Sequence, residues 1–144
     1  MKISTKGRYA LRLMLDLAMD TSGEPVRIKD VAERQEISVK YLEQIVSILA
    51  KAGYVRSIRG PQGGYRLSRE PEDYTVGMIL RLTEGSLTPV ECAEAEPGAC
   101  SREDTCVTRK LWKELDEAIR SVVDKYTLEY LVQWQHGMDD NYYI

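Results

Sequence analysis

Residues 37–53 read ISVKYLEQIVSILAKAG, and the spacing of their apolar positions decides the fold. Leu42, Ile45, Val46 and Leu49 recur at i, i+3, i+4 and i+7, the stripe that one face of a helix buries, while Lys40, Tyr41, Glu43, Gln44 and Ser47 face away. Ser38 supplies a hydroxyl for the free N–H groups of the first turn, and Gly53 ends the helix. Immediately upstream, RIKDVAERQ carries Ile28, Val31 and Ala32 at helical spacing before a break at QEI. Two short helices separated by a turn are the elements of a helix-turn-helix. Downstream, YVRSI and GYRL are β-type runs flanking RGPQG, which predicts a hairpin around a Gly/Pro turn. Helix, turn, helix, hairpin is a winged-helix order.

Further out, Ala10, Leu11, Leu13, Met14, Leu15, Leu17 and Ala18 are too continuous for strand alternation and predict a buried helix from Gly7 to about Met19. Thr75 caps a short helix carrying Val76, Ile79 and Leu80. From Val107 to about Tyr126 an apolar face returns at Leu111, Leu115, Ala118, Ile119, Val122 and Val123. A helix of that length beyond a small winged domain has little of its own chain to cover it, so a second copy is the natural partner. The tail predicts one further short helix at Leu128, Leu131 and Val132, then residues without pattern that fray or pack on the partner. The expected class is mainly α, a winged helix-turn-helix with a two-stranded wing and a long C-terminal dimerisation helix. Its expected divisions are a winged-helix DNA-binding domain at 1–85, a cysteine loop at 86–105, and the dimerisation helix with C-terminal tail at 106–144.

At 144 residues the chain has room for one core. No apolar run approaches the roughly 20 residues needed to span a bilayer, and MKISTKGRYALRLML lacks a cleavage signature. A cytoplasmic protein without a membrane partner is expected. The net charge of −3 hides an asymmetry. Residues 1–69 hold 13 Lys/Arg against 7 Asp/Glu, and residues 70–144 hold 7 against 16. The N-terminal half therefore suits a polyanion.

In a helix-turn-helix the second helix enters the major groove, which places Ser38, Lys40, Tyr41, Glu43 and Gln44 toward DNA. Gln pairs bidentately with adenine and Glu accepts from cytosine N4, whereas Ser, Tyr and Lys hold phosphates. Arg59 lies where a wing projects into the minor groove, and Gly60, Gly63 and Gly64 allow close backbone approach. A merely solvated helix face and a plain hairpin are the competing readings of these two motifs. The sole histidine, His136, and the lack of Ser/His/Asp or P-loop spacing argue against an enzyme or a small-molecule substrate.

All three cysteines, Cys92, Cys100 and Cys106, lie in ECAEAEPGACSREDTC. An odd count in one loop builds no disulfide framework, and its position away from any apolar stripe argues against inert core thiols. Zinc or an iron-sulfur cluster suits three thiolates, each ordinarily with a fourth ligand. His136, Glu91, Glu94, Glu103, Asp104 and a residue of a partner chain are candidates for it. The acidic surroundings are expected to raise the thiol pKa values. A zinc- or thiol-redox-responsive repressor, and an iron-sulfur carrier whose N-terminal half binds a protein, remain alternatives.

The motifs STKGRYAL (4–11), ISVKYLEQIVSILAKAG, VRSIRGPQGGYRL (55–67), the cysteine loop and CVTRKLW (106–112) resemble the iron-sulfur cluster regulator family that includes IscR, NsrR and CymR. The resemblance covers nearly the whole chain. It implies a homodimeric transcription regulator on double-stranded operator DNA, with long helices crossing between subunits and genes of iron-sulfur assembly or related functions under its control. By position Ser38, Tyr41, Glu43 and Gln44 match the family's recognition-helix contacts, Arg59 its wing arginine, and Tyr9 its first-helix motif. Cys92, Cys100 and Cys106 match the ligands of cluster-binding members, implying a 2Fe-2S cluster, with 4Fe-4S and zinc as alternatives; CymR-like members lack this triplet. Arg109 stands where the best-known IscR type has a histidine three residues after the last cysteine, and Arg8 where NsrR-like members use an aspartate. The fourth ligand is left open.

Overall fold

The computed structural model describes residues 2–142. Six α-helices and one two-stranded antiparallel hairpin follow in the order α1 (Thr5–Met19), α2 (Ile28–Gln35), α3 (Val39–Lys51), β1 (Val55–Ile58), β2 (Gly64–Leu67), α4 (Val76–Glu84), α5 (Val107–Val123) and α6 (Leu128–Tyr142). Single 3-10 turns occupy Pro71–Asp73 and Glu91–Ala93. The expected mainly-α winged helix-turn-helix is thus the observed fold.

α1 forms the centre of the core because its apolar residues surround it: Ala10, Leu13 and Met14 are fully buried. α3 presses its predicted stripe against α1 and α2, with Leu42, Ile45, Val46 and Leu49 at 1% exposure or less. Each such side chain stabilises the fold by roughly 1.5–3 kcal/mol, which locks the rotation of α3 and hence the direction of its polar face. Between α2 and α3 the chain turns at Glu36, which adopts a left-handed conformation (φ 55°). Its φ lets the Ile37 N–H reach the Ala32 carbonyl at 3.1 Å and buries Ile37.

Tyr74, fully buried, ties the hairpin to the helices. Its hydroxyl donates to the Tyr54 carbonyl (2.6 Å) and accepts from the N–H groups of Ser68 and Arg69 (both 3.1 Å). Burial raises its pKa, since the phenolate would lose hydration.

The C-terminal part differs in two ways from the sequence expectation. α5 stops at Val123, where Asp124 caps it, three residues before Tyr126. α6 is a 15-residue helix rather than the expected short one, and it packs on its own chain's α1. Its start is pinned by the Leu128 N–H donating to the Tyr74 carbonyl (2.9 Å) and the Val76 N–H donating to the Tyr126 carbonyl (2.8 Å), with Leu128 fully buried. Polar residues past Val132 hid the continuation, because periodicity marks only the buried part of a helix. α5, in contrast, has Asp116 as its only buried residue, while Val107, Leu111, Leu115 and Val122 are 38–81% exposed. Among the described residues no helix is long and apolar enough to cross a membrane.

Candidate nucleic-acid interface and thiol loop

The Ser38 side chain accepts from the Tyr41 N–H at 3.1 Å, which fixes the first turn of α3 and leaves the preceding N–H groups at the helix's positive end unpaired by it. Ser38, Lys40, Glu43 and Gln44 are exposed on one side of this helix, as the spacing predicts. Tyr41 is placed differently: its half-buried ring meets Tyr9 of α1 edge-on, centroids 5.7 Å apart. The Arg12 guanidinium lies 5.4 Å from the Tyr9 ring, donates to Gln35 Oε1 at 3.0 Å and also bonds the Gln35 carbonyl. Arg12, Tyr9 and Tyr41 therefore brace the front of α3 against α1 and the end of α2.

A second brace lies behind it. Asp16, 8% exposed, accepts from Arg34 Nη2 (2.7 Å), Arg34 Nε (3.1 Å) and Gln35 Nε2 (3.0 Å). The Asp16 hydrogen bonds raise the Arg34 pKa, as a neighbouring carboxylate does for a cation. Sequence reasoning missed this pair, although a lone aspartate inside LRLMLDLAM was the available signal.

The wing runs in the register Val55↔Leu67, Arg56↔Arg66, Ser57↔Tyr65 and Ile58↔Gly64. Arg56 and Arg66 are directly opposed and both exposed. Like charges in that relation repel, so the pair concentrates positive potential on one wing face. Arg59 and Gly60 lie at the exposed tip, where Gly60 takes φ 116°, a conformation open to glycine. The turn closes through the Gly63 N–H donating to the Gly60 carbonyl at 2.9 Å. A third segment joins toward the turn end: Val26 and Tyr65 exchange backbone hydrogen bonds (2.9 and 2.8 Å), and Arg27 Nη2 donates to the Pro61 carbonyl at 2.7 Å. Gly64 permits that approach, since a Cβ there would sit 2.5 Å from the Val26 carbonyl oxygen.

The cysteine loop is irregular apart from the turn at Glu91–Ala93, which carries Cys92; Cys100 follows in a turn and Cys106 caps α5. All three cysteines are free and half-buried. Among the described residues no three His, Cys, Asp or Glu side chains converge as a metal-holding group, so the structure does not gather the predicted triplet. The loop's polar contacts run to itself and to α5. Glu94 accepts from Ser86 Oγ (2.9 Å) and pairs with Arg120 (3.5 Å), and Glu103 accepts from the Gly98 N–H (2.5 Å) and pairs with Arg109 (3.5 Å).

Cys106 departs from the expectation for an acidic loop. The Thr108 hydroxyl at 3.3 Å from its sulfur, and then the Arg109 backbone, favour the thiolate and lower its pKa. Position at a helix N-terminus explains why nearby carboxylates do not prevail. Cys106 and Arg109 share a cleft of about 500 Å³ with Glu103. The Arg109 side chain is only 12% exposed, and its Nε is buried without an acceptor. Cys106 is a soft thiol donor beside an unpaired N–H donor, a pairing that fits an iron-sulfur cluster, whose sulfurs carry negative charge and accept hydrogen bonds.

Three comparisons with known proteins accord with this architecture. A family model described as "Rrf2: Iron-dependent Transcriptional regulator" matches residues 3–134. The chain is 44% identical over 133 residues to Protein rrf2 of Nitratidesulfovibrio vulgaris, covering 92% of this chain and 88% of that one. Among solved structures, CymR, the global cysteine regulator of B. subtilis, superposes with a TM-score of 0.79 at 40% identity, covering 93% of this chain and 98% of the other. IscR of T. potens superposes with a TM-score of 0.75 at 41% identity, covering 92% and 87%.

Proposed function

The chain belongs to the Rrf2 family of transcriptional regulators, and we propose that it is a homodimer whose operator binding is controlled by an iron-sulfur cluster on the three-cysteine loop. It is a DNA-binding regulator and not an enzyme. The finer reading is supported first by Arg109 Nε, a buried donor lacking an acceptor beside Cys106. Cys92, Cys100 and Cys106 would hold the cluster, most simply as 2Fe-2S. When bound there it would supply redox- and oxygen-sensitive chemistry.

This chain's own residues convert a change at the loop into DNA binding. Glu94–Arg120 and Glu103–Arg109 couple the loop to α5 rather than to α3. A change in loop conformation thereby reaches the face of α5 that carries Val107, Leu111 and Leu115, where a second copy docks and sets the spacing between two recognition helices. At the DNA, Gln44 and Glu43 face base edges, while Ser38 and Lys40 hold phosphates and Tyr41 reaches the backbone from its Tyr9 brace. Arg59 and Gly60 enter the minor groove, and the opposed Arg56 and Arg66 are relieved of mutual repulsion by phosphates. Glu43 has no ion-pair partner among the described residues; it opposes some operators by unpaired negative charge.

Duplex titration tests the DNA side. Binding weakens steeply with salt, Gln44→Ala relaxes discrimination at one base, and Arg59→Ala lowers affinity; salt-insensitive binding that ignores both substitutions contradicts it. A second reading, a thiol-responsive repressor of the same fold, is favoured by the lowered pKa of the free Cys106. Under that reading the purified protein is colourless, and mild oxidation alone changes its DNA affinity.

A further inference from the structure

We propose that Arg27 is a positioning residue for DNA recognition, holding the wing tip at the height that lets Arg59 enter the minor groove. The inference rests on the reading of Arg59 as the wing contact. Arg27 immediately precedes α2, where its carbonyl accepts from the Asp30 and Val31 N–H groups while its side chain makes no capping hydrogen bond. Its Nη2 instead donates at 2.7 Å to the carbonyl of Pro61, two residues from Arg59 at the tip of the turn.

The adjoining residue bonds the wing one strand pair in from the turn. Val26 exchanges two backbone hydrogen bonds with Tyr65, making residues 26–27 a third segment of the wing, one residue bonding by backbone and the next by side chain. Because α2 begins at Ile28, whose side chain is buried, this segment cannot move independently of the helix-turn-helix. A two-stranded hairpin alone is marginally ordered, and this one packs on the core through Val55, Tyr65 and Leu67, which lie in the strands and not in the turn. Arg27 is the side chain that fastens its exposed end. The tip is thereby fixed relative to α3, so major-groove and minor-groove contacts are presented in one rigid frame. Lost tip order would be recovered only on binding, at a cost in affinity.

The test is a double-mutant cycle of Arg27→Ala and Arg59→Ala in the full-length protein, titrated against an operator selected from random duplexes. Arg59→Ala is expected to weaken binding at least tenfold, the scale of a groove-inserted arginine. Arg27→Ala alone weakens it by about fivefold, and in the Arg59→Ala background it has no further effect, because the residue it positions is gone. Without DNA, hydrogen exchange at the Gly63 and Tyr65 amides quickens in Arg27→Ala while exchange in α1 and α3 is unchanged. Additive losses, with the salt slope falling by about one further unit when Arg27 is removed from the Arg59→Ala protein, would mean a direct phosphate contact and overturn the proposal. Unchanged exchange at Gly63 and Tyr65 overturns it as well. If instead Arg59→Ala binds like the parent, the wing reading fails, whereas faster exchange in Arg27→Ala still reports the brace.

Discussion

Replacing Leu111 with alanine is expected to weaken self-association about thirtyfold. Leu111 lies 54% exposed in the middle of the uncovered α5 stripe. Full burial of a leucine is worth about 2 kcal/mol, so covering the exposed half contributes about 1 kcal/mol. A twofold interface uses each residue twice, giving about 2 kcal/mol, and each 1.4 kcal/mol is tenfold in the dissociation constant. Leu111→Glu goes further, since an unpaired carboxylate would be desolvated at the seam. Sedimentation equilibrium across a micromolar concentration series reads the constant directly. Lys113→Ala, on the opposite and exposed face of α5, serves as the control and shifts it less than threefold. A monomeric parent protein, or equal effects from Leu111→Ala and Lys113→Ala, would refute the assignment of this face to a second copy.

Other substitutions probe the frame that presents α3 and the wing. Gly64→Ala forces a Cβ into the Val26 carbonyl and disrupts the paired backbone hydrogen bonds to Tyr65; it should cost roughly 1–3 kcal/mol in urea unfolding and reduce duplex affinity. Arg34→Ala leaves the buried Asp16 carboxylate with Gln35 as its remaining partner, and because Arg34 is half-exposed the expected loss is about 2 kcal/mol, a fall in Tm of roughly 6 °C. Asp124 accepts from Arg81 at 2.6 and 3.1 Å, which holds its carboxyl below the usual aspartate range. With the folded pKa below the unfolded value near 3.9, the pair's stabilisation is present above that value and is lost as pH falls through the folded one. Stability measured by denaturant should therefore drop on acidification below about pH 4, and Asp124→Asn should flatten part of that slope.

The helix-turn-helix and wing were legible because their core residues recur with a period that only one secondary structure satisfies, and Leu42, Ile45, Val46 and Leu49 are buried as that period requires. The exposure of Gln44 followed from the same rotation, and that of Arg59 from its place in the Gly/Pro turn. Tyr41 was read as outward by spacing alone, yet its long ring folds back onto Tyr9, an aromatic contact across elements that no local pattern encodes. Arg27, Asp16 and Arg34 escaped for the same reason: their partners lie 18 to 34 residues away. α6 was cut short because its later turns alternate no apolar face. At the thiol loop composition identified the donors, but carboxylate proximity was a poor guide to Cys106, whose pKa responds to Thr108 and the helix end.

The most direct test of cluster control is a single operator titration, performed on anaerobically purified protein before and after the cluster is stripped, with iron and acid-labile sulfide determined on the same samples. The expected result is brown protein with iron and sulfide in equal amounts, lost in Cys106→Ala, and an operator affinity that changes at least tenfold on stripping. Colourless protein carrying stoichiometric zinc, or an operator affinity that is the same in loaded and stripped samples, would contradict it.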